Sequence, residues 1–330
     1  MIFGKRVEVG LDIGSYALHW AAYDSKTKKA EVWCKPLSLH GVIDVHAPGF
    51  GDRVASLLKE CESSVKLWNR QVVVGVQGSH VVSGYLEFPP LKESELNMAV
   101  ISSVSREIPF PVHTMDIVHL PVKSLTPGKT AVFYSAWPKE QRYLLENICR
   151  VSELKIKRVE VTGIGLTREV FQNHALKPDE FHFLINIGHE ITHLLFVRGG
   201  YPYYLRDIAI GGKQMTEAVA LRNSLSWLEA QNLKESSSLA DLLTSLGSVL
   251  SEFGYEFRRT LEYFQRRFRT QKVGRIYLSG GGALVRDLPG WLESELELPV
   301  EIDGWDSFSP RSKTENSTLN KASLGLALSG

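Results

Sequence analysis

Two stretches about 175 residues apart share one pattern: an apolar strand, an Asp or Asn, an isoleucine, a glycine, then a second apolar strand. Val7–Ile13 (VEVGLDI) alternates toward Gly14-Ser15, and residues 16–23 resume with aromatic and apolar side chains. Residues 181–188 (FHFLINIG) and 191–197 repeat the scheme. Period-two alternation broken by glycine predicts strands that double back. Each copy heads a segment of mixed strand and helix patterning. The chain is therefore expected to hold two related α/β halves facing each other across a cleft.

A length of 330 residues allows two domains, and 43% hydrophobic with 23% charged residues is a globular mixture rather than a disordered one. Lys plus Arg number 38 against 37 Asp plus Glu, so no global charge points to nucleic acid or an anionic surface. The three cysteines, Cys34, Cys61 and Cys149, are scattered and odd in number, which fits reduced thiols. Residues 1–14 lack an apolar run long enough for a signal peptide, and no window reaches the roughly 18–20 apolar residues of a membrane helix. The expectation is a cytoplasmic protein with no direct membrane insertion, held at any membrane by another chain.

Along the chain, helical spacing occurs at 50–59 and an apolar run at 70–77 reads as a buried strand. Phe88-Pro89-Pro90 then breaks the texture. Residues 92–107 have helical spacing at Leu96, Val100 and Val104, and the IPFPV stretch at 108–112 stops that helix, because proline lacks an amide donor and restricts the residue before it. Strands are expected at 116–122 and 130–136 and a helix at 139–152. In the second half, Leu239, Leu242, Leu243, Leu246, Leu250, Phe253, Phe257, Leu261, Phe264 and Phe268 trace one helical face. A strand at 275–279, a helix-like stretch at 284–288 and a last helix at 322–328 follow. The expected divisions are 1–83 plus 159–178, an insertion at 84–158, 179–212 plus 272–330, and a helical unit at 213–271.

Glycine lets backbone amides approach a ligand closely, and successive amides in such turns form a concavity for phosphate. An acidic residue just before the glycine suits Mg²⁺, held through water. Gly280-Gly281-Gly282, after a strand, offers a third close approach, suited to a base and ribose. A lone DIGS or GGG is usually just a tight turn; three in order, each after a strand, carry more.

Asp12-Ile13-Gly14-Ser15, Asn186-Ile187-Gly188 with Thr192, and Leu278-Ser279-Gly280-Gly281-Gly282 resemble the two phosphate loops and the adenosine loop of the actin, Hsp70 and sugar-kinase superfamily. Within it, FPPLKESELNMAV and SREIPFPV at 88–112, Ile210-Gly211-Gly212 before Met215-Thr216-Glu217-Ala218, residues 229–234 and RRTLEYF at 258–264 resemble the PilM family of type IV pilus assembly proteins over nearly the whole chain. The resemblance implies an α/β, actin-like (ribonuclease H-like) two-domain fold with a small inserted α+β subdomain. It implies ATP with Mg²⁺ in the cleft, placing Asp12, Gly14, Ser15, Asn186, Gly188, Thr192, Gly211, Gly212, Lys234, Gly280, Gly281 and Gly282 at the nucleotide and Asp12 at the metal. It also implies a PilN-like bitopic membrane protein whose amino-terminal cytoplasmic tail docks between the first domain and its insertion. Pilus motor ATPases and a homo-oligomeric ring in the machine complete the expected partners, with the chain peripheral to the bacterial inner membrane.

Three positions depart from the family pattern. Asn186 stands where relatives have Asp, and an amide offers no negative charge to a hard cation. His19 replaces a phosphate-reaching Lys, and a neutral imidazole would not substitute for an ammonium. His189 adds bulk where a small residue is common. Phosphoryl transfer depends on positioning and cationic stabilisation, so weak or lost hydrolysis is expected. The alternatives are an active actin-superfamily ATPase or kinase and an FtsA-like division protein, the latter disfavoured because no amphipathic membrane helix follows Leu328. His189-Glu190-Ile191-Thr192-His193 also spells the H-E-x-x-H of zinc proteases, but that motif needs a helix. In the expected strand the two histidines would stand roughly 13 Å apart, beyond reach of one zinc at about 2 Å.

Overall fold

The structure, a computed structural model, describes residues 7–37, 49–65, 71–268, 272–304, 311–312 and 318–328. Arg70, expected at a strand start, lies outside them. The first half opens with β1 (Val7–Ile13), β2 (Ala17–Asp24) and β3 (Lys29–Pro36), each antiparallel to the one before. After α1 (Phe50–Val65), β4 (Gln71–Val76) lies parallel to β1. The chain then leaves this sheet through β5 (Val82–Phe88), α2 (Glu93–Glu107), β6 (Met115–Val122) and β7 (Thr130–Pro138). It returns with α3 (Lys139–Val151), β8 (Lys155–Val161), parallel to β4, and α4 (Thr162–Asn173).

The second half repeats the course: β9 (Phe181–Ile187), β10 (Thr192–Arg198) and β11 (Tyr201–Ile208) form an antiparallel run. Three helices follow, α5 (Gly212–Asn223), α6 (Trp227–Ser236) and the 29-residue α7 (Leu239–Arg267). Then come β12 (Val273–Ser279), parallel to β9, a short 3-10 helix at Gly281–Leu284, α8 (Leu288–Leu296) and β13 (Val300–Ile302). β14 (Arg311–Ser312) pairs with β3, and α9 (Lys321–Ala327) closes the chain. The strand orders β3-β2-β1-β4-β8 and β11-β10-β9-β12-β13 are one topology used twice. The internal repeat seen in the sequence is thus a repeat of whole sheets.

The insertion is a three-stranded sheet in the order β5-β7-β6. Both faces of β7 are covered, and its alternation divides them. Val132, Tyr134 and Ala136 pack with Leu96, Val100 and Val104 of α2 in a local core, while Ala131, Phe133 and Trp137 join the main core. A period-two strand between two apolar layers does this without an extra element. α3, within the stretch 84–158, packs chiefly on α1 while also touching β4 and β7, and β8, which begins in that stretch, pairs with β4 of the first sheet.

α7 is capped by Ser238, whose hydroxyl accepts from the Asp241 amide, while Asp241 returns a carboxylate to Ser238. Its face of Leu239, Leu242, Leu246, Leu250, Phe253, Phe257, Leu261 and Phe264 is buried, each large side chain contributing about 1.5–3 kcal/mol of burial. Leu243, expected on that face, is 50% exposed. Its position one residue past Leu242 turns it about 100° off the stripe. The arginines opposite are solvated and paired: Arg258 with Glu295, Arg259 with Glu256 and Arg266 with Glu262.

Each half lends its last helix to the other. α9 lies on β1, β2 and β4 of the first sheet, and α4 reaches β10 and β11 of the second. The two helices cross where Gly165 and Gly325 meet; a Cβ on Gly325 would stand 1.8 Å from the Gly165 oxygen. Only glycine permits that approach. Beside the crossing, fully buried Lys321 donates to Glu169 and Asp303 at 2.8 Å each and to the Gly304 carbonyl at 2.6 Å. No helix among the described residues is long and apolar enough to cross a membrane.

Candidate functional site: two glycine turns across the cleft

The two turns close alike. The Gly14 amide donates to the Ala17 carbonyl at 3.1 Å, and the Gly188 amide to that of Ile191 at 2.9 Å. Asp12 ends β1 directly across from His19 on β2 and is 8% exposed. Burial raises the Asp12 pKa, with the charges of His19 and His193 opposing that rise. Ser15 sits partly buried in the first turn.

His19 lies between Cys34, Asp12 and Asn320. Burial pulls its pKa down, but the Cys34 thiol, the Asp12 carboxylate and a 3.1 Å bond to the Asn320 side chain together lift it to about 9.

On the other side, the Asn186 amide donates to the Ser279 hydroxyl at 2.8 Å, so it ties β9 to β12. Thr192 is buried and donates to the Ile210 carbonyl at 2.7 Å. Gly211 and Gly212 begin α5, but the first-turn amides of that helix are already used: Gly212 donates to the Gly188 carbonyl and Lys213 to that of His189, both at 2.8 Å. A helix N-terminus offers amides to an anion; here the second glycine turn takes two of them. Lys234 is 5% exposed and donates to Thr216 at 2.7 Å and the Gly212 carbonyl at 3.2 Å. Burial lowers its pKa to about 8. In the third turn Gly280 has φ +87°, a conformation that favours glycine, and a Cβ there would stand 2.4 Å from the Ile187 carbonyl oxygen. Gly282 packs equally closely on the Ile187 side chain, while Gly281 meets only Leu319, at 3.6 Å. Asn186, Gly188, Thr192, Gly211, Gly212, Lys234 and the 280–282 turn thus form one bonded cluster, and Asp12, Gly14 and Ser15 face it from the first half.

Gln77 and Asp207, which carry no signal in the sequence, join the two sides through His193. Gln77, just past β4, donates to the Ile13 carbonyl at 3.2 Å and lies 3.5 Å from Asp12 Oδ1. It also meets His193 Nε2 at 2.8 Å. His193 Nδ1 pairs with Asp207 at 2.6 Å, and Asp207 in turn accepts the Gly78 amide at 2.9 Å. His193 is 3% exposed and its pKa is raised: burial works against the charge, but Asp207 outweighs it. His193 lies on strand β10 and His189 in the turn before it, with separate partners, so H-E-x-x-H here is not a helical zinc motif.

Above these bonds, the rings of Tyr16 and His189 meet across the cleft with centroids 5.0 Å apart, and His189 meets Trp227 edge-on at 5.7 Å. Asp12, on β1, is the carboxylate beside the first turn, while Glu235 and Glu190 act on the Tyr16 and His189 rings. Mg²⁺ is commonly held by one or two carboxylates together with phosphate oxygens and water. The residues present therefore fit that ion only in company with a phosphate ligand.

Residues 10–329 match the family described as type IV pilus assembly protein PilM. Among solved structures, a PilM-PilN type IV pilus biogenesis complex is similar with a TM-score of 0.80 and 24% identity, covering 97% of either chain. The ethanolamine utilization protein EutJ from Carboxydothermus hydrogenoformans has a TM-score of 0.60 at 12% identity, covering 99% of this chain and 91% of its own. MreB5 of Spiroplasma citri bound to AMPPNP has 0.56 at 14%, covering 99% and 96%. These likenesses establish the actin-like fold.

Proposed function

Because the chain belongs to the type IV pilus assembly protein PilM family, we propose that it is a cytoplasmic adaptor at the inner-membrane platform of a type IV pilus machine. It captures the extended amino-terminal tail of a PilN-like bitopic membrane protein and links the platform to the motor ATPases. Copies arranged in a ring multiply modest contacts into firm attachment.

The observation that carries this reading is the inserted sheet and its free side. β5 faces β11 of the second half, whereas β6 is an edge strand. Arg142 of α3 reaches β6 through Asp116 at 2.6 Å, which ties the insertion to the first half beside that edge. Val118 and Tyr143, flanking that junction, are 41% and 55% exposed. An edge strand with apolar neighbours suits an extended peptide that adds a strand, with main-chain bonds supplying affinity and side-chain pockets specificity.

ATP with Mg²⁺ is assigned to the cleft as a weakly held ligand with slow or absent hydrolysis. Asp12, Gly14, Ser15, Gly188 and Gly281 stand where they would meet it. The amides of Gly14, Gly188, Gly212 and Gly280 each already donate to a backbone carbonyl, which limits the anion site. The second carboxylate expected of a metal-dependent phosphotransferase is Asn186 instead.

The deciding experiment is capture of the tail peptide of the co-encoded membrane protein by the full chain, with and without Mg·ATP. Capture is expected in both conditions, weakened at least tenfold by Val118→Asp. No capture in either condition rejects the adaptor reading.

A further inference from the structure

The Tyr16, His189 and Trp227 rings come from three separate places: the first glycine turn, the second glycine turn and the opening of α6. Tyr16 and His189 belong to the very turns whose amides would cradle a polyphosphate, and their rings meet between those turns. All three are only partly buried, so they are not core side chains. Burial pushes the His189 pKa down to about 4, which leaves the ring neutral and suited to packing against the other two. Beneath the rings, Gln77–His193 and Gly78–Asp207 cross the same gap.

We propose that Tyr16, His189 and Trp227 form an aromatic plug that fills the phosphate end of the cleft and holds the two halves closed without nucleotide. The plug takes over the bridging that phosphates perform when they lie between two such turns. It rests on the reading of the cleft as a nucleotide site, and its consequence is competition: a nucleotide enters only when the rings part. The closed geometry is then the resting form of this chain.

The test uses the full-length chain, a fluorescent ADP analogue with Mg²⁺, and small-angle scattering without nucleotide. Tyr16→Ala is expected to bind the analogue about tenfold more tightly than the wild type and to scatter as a more open particle. Tyr16→Phe, which keeps the ring, is expected to match the wild type in both. If Tyr16→Ala does not fold, His189→Ser in the opposite turn carries the same expectations. The plug is rejected if the ring-deleted chain remains as closed as the wild type. Should none of the proteins bind the analogue, the nucleotide assignment fails, while scattering alone still judges the plug.

Discussion

The Glu87 carboxylate gathers hydroxyls from Tyr85, Ser124 and Thr126 and amides from Leu125 and Thr126, pinning the turn between β6 and β7. Burial would raise its pKa, but those donors hold it down to about 2 against an ordinary 4.5. A depressed carboxyl contributes stability that is complete above the unfolded value and is lost as pH falls from about 4.5 through about 2. Glu87→Gln is expected to cost about 1–2 kcal/mol near neutral pH and to flatten the acid limb of the stability profile, read by denaturant melts across that range. At this scale the sequence was only partly legible. Asp12, Gly14 and Gly188 stood out because a glycine after a strand is a local signal. Gln77, Asp207 and Asn320 carried none: His193 meets Gln77 across 116 positions and His19 meets Asn320 across 301, and no short window spans such distances. The surroundings of His19 escaped for the same reason, since Cys34 reaches it from β3 and Asn320 from the start of α9.

Elements were easier to read than their partners. The strands β1, β9 and β12 and the helices α2, α3 and α7 follow apolar spacing to within a few residues, because each buries one stripe or two alternating faces. β3 and β11 were not anticipated; their apolar and polar residues alternate too irregularly to announce a strand without the neighbour they pair with. The crossing of α4 and α9 was equally silent. Gly165 and Gly325 look like weak points in short helices, yet they are where two backbones touch. Gly325→Ala is expected to destabilise by about 1–3 kcal/mol through overpacking, whereas Gly290→Ala on α8, where a Cβ meets open space, should stay within about 0.5 kcal/mol. Thermal melts of the pair separate a packing effect from a loss of helix propensity.

For the whole molecule, the duplicated sheet order was legible as a duplicated strand-turn-strand pattern, but the joint between the halves was not. That joint includes the buried Lys321, whose ammonium is shared by Glu169 of α4 and by Asp303 just beyond β13. Burial and the neighbouring Asp303 raise the Glu169 pKa well above the ordinary range, with Lys321 opposing. Lys321→Met removes the ammonium placed between the two carboxylates and is expected to cost about 3–5 kcal/mol, lowering the denaturant midpoint of the entire chain rather than of one half. Two separate transitions in that variant would argue against the joint. Its far-reaching effect follows from position, since one side chain touches elements of both halves.

The exchange of closing helices also sets a schedule for folding. The first sheet, made early, waits for residues 321–327 to cover β1, β2 and β4. A nascent chain carries that apolar face uncovered until residues 321–327 are made, about 300 positions after β1, with the long-range closure entropy still to be met. Loss of residues 321–327 would therefore strip shelter from the part of the protein made first, the part that holds the first turn.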